Sequence, residues 1–415
     1  MFFGDTKLGT GHFRRDPIKD GPRILFVGLS ESTHTHSWVD LLEYSEFNVR
    51  LFALPSGAPP RQWKVRTYVT QGVAGDCGSP DYRYRFRPDQ TSFLNKVQTL
   101  LMRGMEIQFG AWEERWLNRV IRDWCPDIVH TLGLDPASFQ FLKWIEQPAR
   151  ARFKWVVTAR GGPELALNRL LPEEQARIGA VLRECDYLIA DNDQNYRYAV
   201  DLGLAPGKCA SIGFIPGTGG VAVDAISSLR KEKASTQRTI VWPKAYECPA
   251  SKALPVFEAL KLCWDKIQPA KIIMTAMVPE TRMWLAHMPQ TIRDSCVTLD
   301  RVPRQQMLEL FASARVALMP SLTDGVPNSL YEAMAAGAFP IVSPLETITP
   351  LVHEEGNVLF ARNLFPHEIA EAIVRAMTDD RLIDDATERN IGRVREIAER
   401  ESIRTKVIGF YRKLI

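Results

Sequence analysis

Cysteine is scarce in this chain and shows no pairing pattern. The seven cysteines, at 77, 125, 185, 209, 248, 263 and 296, are odd in number and include no C-x-x-C. That argues for free thiols in a reducing compartment and against a zinc ribbon. No apolar run approaches the ~20 residues of a membrane span, and MFFGDTKLGTGHFRRDPIKD has too short an apolar start for a signal peptide. The expected location is cytoplasmic, either free or peripheral at the inner face of the cell membrane. Excess charge is also missing: a net +3 is too little for a nucleic-acid partner. After the first apolar strand, Arg23 to Leu29, only Gly28 precedes SESTHTH, so no G-x-G-x-x-G supports a dehydrogenase. His34 and His36 have no third ligand nearby, so no metal site is expected. There is no internal repeat beyond two α/β halves, and no low-complexity segment.

What is present suits a globular enzyme. With 415 residues, 45% hydrophobic and 24% charged, the chain can bury two cores. Apolar strands alternate with helical patterns in both halves, which demands largely parallel sheets. In the first half the pattern predicts strands at 23–29, 48–54, 127–132, 153–158, 187–190 and 209–214, with a helix over 37–44. Tyr82 to Arg87 alternates aromatic and guanidinium side chains and reads as a further strand. Helices are predicted over 92–105 and 111–124. His130 ends one strand and Arg160-Gly161-Gly162 follows the next, at the strand ends where open α/β sheets place ligands. Asp191-Asn-Asp193 precedes a helix and is read as N-capping. The charged segment 227–237 is the most linker-like stretch.

Residues 61–124 carry eleven Lys/Arg against seven Asp/Glu, an excess of +4, and the remainder is close to neutral. Trp112 and Trp116 stand at i, i+4 among Arg115, Arg119 and Arg122. Such a helix either rests on anionic lipid headgroups or buries its tryptophans in a core.

The densest signal is RVALMPSLTDGVPNSLYEAMAAGAFPIVSP, from Arg315 to Pro344. It reads as strand, loop, helix, strand. The helix begins near Pro327, where Asn328 and Ser329 can satisfy free amides, and Gly337 suits a left-handed C-terminal cap. The amides of Asn328, Ser329 and Leu330 and the positive end of the helix dipole favour a phosphate. Asp324 and Glu332 bracket that site with seven residues between them. Glu332, tilted toward the helix start, suits a vicinal diol. A sugar nucleotide offers both groups. In the second half, Lys244 and Lys252 lie between a buried strand and the next helix and suit two phosphates.

DGVPNSLYEAMAAGAFPIVS resembles the donor-binding signature of retaining glycosyltransferases of family four. The resemblance implies the GT-B fold, two Rossmann-like parallel-sheet domains facing a central cleft. Residues 1–220 plus a crossing helix at 400–415 would bind the acceptor, and 221–399 the nucleotide-sugar donor. It implies that the first acidic residue, here Asp324 instead of the family's Glu, holds the sugar, and that Glu332 holds the ribose. Gly325, Val326 and Pro327 complete the donor loop, and Arg301 and Val302 sit at the base-binding turn. Lys244 and Lys252 would take the diphosphate, though their spacing departs from the family pattern. On the acceptor side the resemblance points to the loop with His34 and His36, and to His130, Arg160 and Gly161; Leu132 stands where the family often has a histidine. The implied activity is retaining transfer from a nucleotide diphosphate sugar to a glycan, lipid-linked or small-molecule acceptor, as in polysaccharide biosynthesis. No cofactor or metal is expected. The alternatives are a catalytically silent sugar-nucleotide binder, or an epimerase or phosphorylase on the same fold.

Overall fold

The computed structural model describes residues 13, 15–57, 59–60, 62–70, 81–84 and 112–415. The apolar runs form thirteen described strands in two sheets. In the first sheet these are β1 (Arg23–Gly28), β2 (Asn48–Ala53), β3 (Arg66–Val69), β4 (Tyr82–Tyr84), β5 (Ile128–Leu132), β6 (Lys154–Ala159) and β7 (Tyr187–Ala190), in the order β4-β3-β2-β1-β5-β6-β7. The second holds β8 (Thr239–Trp242), β9 (Lys271–Met274), β10 (Cys296–Thr298), β11 (Val316–Met319), β12 (Phe339–Val342) and β13 (Leu359–Phe360), in the order β10-β9-β8-β11-β12-β13. All described pairings are parallel. Central strands such as β5 and β11 are buried along their whole length, as a parallel sheet covered on both faces requires. In each sheet the strand order reverses once, between β1 and β5 and between β8 and β11, which opens a crevice at the carboxyl ends of those strands.

The chain crosses between the lobes at Ile215–Val221 and returns at Ala398–Arg400. The two crossings are hydrogen-bonded to each other, Val221 N–H to Ala398 O at 2.9 Å and Arg400 N–H to Val221 O at 3.0 Å. The final helix, Arg400–Leu414, then buries Ile403, Val407, Phe410 and Tyr411 against Ile24, Phe26 and Trp38 of the first lobe.

Several expectations are corrected. The first helix runs Thr33–Val39, so His34 and His36 lie on a helix and not in a loop. Residues 209–214 form no strand: Cys209 makes one isolated bridge to Leu188, and Gly213 turns the chain at φ 74°. β3 was not foreseen because Arg66-Thr-Tyr-Val carries little apolar signal. Trp112 and Trp116 are core residues, 6% and 2% exposed, packed with Phe52 and Tyr68, so they do not face a lipid surface. The segment 227–237 is not the crossing. Its Arg230 donates to the carbonyls of Ala336 and Ala314, tying it to helix ends of the second lobe. The expected helix over 92–105 and the end of the strand at 85–87 lie outside the described residues.

Candidate functional site

At the second sheet's reversal, the loops after β8 and β11 lie side by side. Leu322 N–H donates to Ala250 O at 2.8 Å, and Asn363 ties Lys252 O and Pro320 O together. Thr347 Oγ1 donates to the carbonyls of Asp324 and Gly325 at 2.9 and 3.1 Å, which fixes the acidic loop. The loops enclose a cavity whose lining includes Trp242, Lys244, Tyr246, Ser251, Asp324 and Ser329.

Helix Asn328–Ala336 starts at this cavity, and Gly337 ends it in the left-handed conformation at φ 78°. Side chains do not cap its start, contrary to expectation. The Asn328 carboxamide oxygen instead accepts from Thr218 Oγ1 at the chain crossing, 2.9 Å away, and Ser329 Oγ is buried without a partner. Leu330 N–H is already bonded to Pro327 O at 2.9 Å. The Asn328 and Ser329 amides have no partner among the described residues, so of the three amides expected to receive a phosphate only these two are free for one.

Lys244 lines the cavity and pairs with Asp324, Nζ to Oδ2 at 3.1 Å. Burial works against its charge, but the Asp324 carboxylate together with Tyr246 and Cys248 raises the pKa overall. Lys252 points elsewhere: it does not line the cavity and is held by Glu247 Oε1 at 3.1 Å. Glu332 is buried, 7% exposed, and one oxygen is taken by Arg304 Nε at 2.6 Å. Burial raises its pKa, and Arg304 opposes the shift. Its second oxygen has no described partner and remains for a hydroxyl. Val326 is in the core at 3% exposure, so only its backbone can serve a ligand. Pro327 ends the loop with extended backbone, and Arg301 is exposed at the turn with Val302 before helix Arg304–Ala312.

The first lobe supplies the facing wall. Gly161 and Asp191 touch the donor loop, since a Cβ on Gly325 would stand 2.6 Å from Asp191 Oδ2 and 2.8 Å from Gly161 Cα. Arg160 Nη2 donates to Leu132 O at 2.7 Å, putting its guanidinium beside the position where the resemblance led one to look for histidine. His34 is open to solvent, yet protein on both sides of the cleft desolvates it. Together with the charges of Arg160, Lys244 and Arg301, this pushes its pKa down to about 4. His36 bonds to Ser30 O at 2.6 Å and stacks on Trp63 at 4.3 Å, a structural role. His130 is fully buried between Tyr411 OH (2.6 Å) and Thr158 Oγ1 (2.5 Å), too deep to meet an acceptor. Asn192 caps helix Asp193–Asp201 through Asn195 N–H at 2.8 Å, as its spacing suggests.

Sequence reasoning missed Arg304 and Glu164. Glu164 accepts from Arg160 N–H at 2.7 Å, and burial lifts its pKa to about 7. Neither residue stands in a local pattern that marks it. Among the described residues no group of three or more His, Cys, Asp or Glu could hold a metal, and no helix is long and apolar enough to cross a membrane.

Residues 239–379 match the family described as glycosyl transferases group 1. No curated protein matches. Sucrose-phosphate synthase from Thermosynechococcus elongatus superposes with a TM-score of 0.67 at 14% identity, over 95% of this chain and 99% of its own. HepE from Anabaena, crystallised with UDP and glucose, gives 0.64 at 13% identity over 94% and 100%. A putative UDP-N-acetylglucosamine 2-epimerase from Listeria monocytogenes gives 0.59 at 11% over 95% and 96%. The chain has the GT-B fold of two Rossmann-like domains and resembles the glycosyltransferases built on it.

Proposed function

We propose that this chain is a retaining glycosyltransferase that uses a nucleotide diphosphate sugar. The observation that carries this is the cavity at the second sheet's reversal. There the Lys244–Asp324 pair and Ser329 line the cavity at the start of helix Asn328–Ala336, and Glu332, with one oxygen bonded to Arg304, follows one turn further along that helix. The diphosphate lies against the Asn328 and Ser329 amides with Lys244 beside it, and Glu332 takes the ribose diol. UDP in the HepE crystal fits the same ligand class.

As the glycosidic bond breaks, negative charge grows on the leaving diphosphate, and the amides and Lys244 stabilise it. Asp324 faces the sugar ring as it becomes cationic. The acceptor attacks from the same face, and a leaving-phosphate oxygen takes its proton, as the family resemblance implies. The acceptor is a glycan, a lipid-linked sugar or a small molecule. Because amides and lysine supply positive charge at the diphosphate, chelator should leave transfer largely intact; abolition by EDTA with rescue by Mn²⁺ would put a metal at the leaving group.

Thermal-shift screening against UDP-, GDP- and ADP-sugars tests the reading. One base class should raise the melting temperature, a ligand at 100 times its Kd adding about 2.7 kcal/mol. No response to any of them would remove the proposal. Product analysis with the active donor then separates transfer from epimerisation.

A further inference from the structure

Asp191-Asn-Asp193 reads in sequence as a helix cap, but only Asn192 does the capping. Asp191 stands at the carboxyl end of β7 and is 2% exposed. Its Oδ2 accepts from Gly161 N–H at 2.9 Å, and its Oδ1 accepts from Asn192 Nδ2 at 2.8 Å and Asn195 Nδ2 at 2.7 Å. Among the described residues no cation forms an ion pair with it. Three N–H donors thus converge on a side chain that accepts at both oxygens, which among the polar side chains of this size only a carboxylate does. The Asn195 carboxamide is turned to serve it and leaves its own oxygen buried without a partner. Burial, opposed by these hydrogen bonds, raises the Asp191 pKa to about 6, so the group is ionised at pH 7.

This carboxylate lies at the seam between the lobes. Gly161, which it holds, follows β6 in the left-handed conformation at φ 66°. A Cβ on Gly325 would meet Asp191 Oδ2 at 2.6 Å, Gly161 Cα at 2.8 Å and Gly161 C at 3.1 Å. Backbone therefore packs on backbone across the seam, with the carboxylate beside it, and glycine on both sides is what permits so close an approach. Gly325 is bonded to Asp324, and Thr347 fixes the carbonyls of both. The first lobe thus touches the donor loop one residue from the carboxylate that pairs with Lys244 at 3.1 Å. A shift of Gly161 reaches Asp324 with no flexible side chain in between to absorb it.

We propose that Asp191 is a positioning residue for transfer: by holding Gly161 against Gly325 it sets where Asp324 stands in the cleft. It acts through the donor loop. This rests on the glycosyltransfer reading and adds to that site a residue from the facing lobe.

The test is a double-mutant cycle, read as release of nucleoside diphosphate from the donor that thermal-shift screening identifies, with water as acceptor. D191A should lower kcat about tenfold or more, while the Kd for nucleoside diphosphate, set within the second lobe, stays within about twofold. D191N should lose less, because its carboxamide oxygen still accepts from Gly161. G325A should cost about tenfold in wild type but less than about twofold in D191A, since the carboxylate is gone and Gly161, no longer tethered, yields to the methyl group. A residue that only stabilises β7 and its helix would give additive losses. Additivity, or wild-type kcat in D191A, would overturn the proposal. Hydrogen exchange read by mass spectrometry needs no catalysis. D191A should speed exchange at 160–162 and, across the seam, at 321–326; unchanged protection at 321–326 would also overturn it. If no sugar nucleotide binds, the glycosyltransfer reading has failed. There, or where a bound donor is not hydrolysed, the exchange result decides alone whether Asp191 joins the two loops.

Discussion

Asp324 and Lys244 share one ion pair, so a change at either residue is felt by the other. On the proposed function, a diphosphate competes for the lysine and leaves the carboxylate to the sugar. Asp324→Asn should therefore act mainly on kcat, by about 10²-fold or more, because its contact is with a ring that becomes cationic only in the transition state. Glu332→Gln should mainly raise the donor KM, about 10-fold for a loss of ~1.4 kcal/mol, since a ribose contact is made in ground and transition states alike. Initial-rate kinetics separate the two; equal effects on both constants would contradict the assignment. His130 offers a prediction unrelated to catalysis. Burial depresses its pKa to about 3, whereas the unfolded chain protonates near 6.5. Its stabilising contribution is therefore complete above pH 6.5 and is lost as pH falls toward 3. Between pH 6.5 and 5 the loss is about 2 kcal/mol. Urea unfolding of wild type and His130→Gln at both pH values checks this: the variant should show the shallower pH slope.

Among the elements, those in the second half were legible because each carries its own punctuation. The left-handed cap at Gly337 and the apolar runs of β11 and β12 are local features, and so is the amphipathic stripe of helix Asp380–Ala398. Contacts distant in sequence were not legible. Nothing near Arg304 announces a partner 28 residues on, and nothing near Glu164 marks a carboxylate that serves a backbone amide at the cleft. The Ser-Thr-His run before Ser37 favours turns locally, yet tertiary packing of Thr35, Trp38 and Val39 extends the helix back to Thr33. The closeness of the two lobes was equally invisible, and it makes Gly325 testable. An added methyl would collide with Asp191 and Gly161, so Gly325→Ala must push the donor loop off the first lobe. Because the loop stays anchored by Thr347, melting should change little while kcat/KM falls about tenfold or more. A variant with unchanged kinetics would show that this lobe contact is not part of the working state.

Across the whole molecule, catalysis between two lobes requires that their relative placement be set by something stiffer than two peptide strands. Arg400 supplies it. Its guanidinium donates to Ser37 Oγ and to Thr218 O at 3.2 Å, and to Ser37 O at 2.8 Å, while its backbone N–H bonds to Val221. One side chain thus joins the outgoing crossing, the returning crossing and the first helix. From Thr218 the chain of contacts continues to Asn328 at the start of the donor helix, 2.9 Å away. Each sheet keeps its own core, so Arg400→Met should leave both lobes folded while loosening the angle between them. The expected result is a kcat lowered by about tenfold, because positioning across the cleft is lost while each half-site is intact. Nucleotide affinity, set within the second lobe, should stay within about twofold, the kcal/mol equivalent being below the usual error of additivity. Small-angle scattering should show a broader distance distribution for the variant without ligand and recovery when nucleotide and acceptor are both bound. A variant that loses nucleotide affinity along with kcat would mean that Arg400 shapes the donor site itself, through Thr218 and Asn328, and does not act on lobe placement.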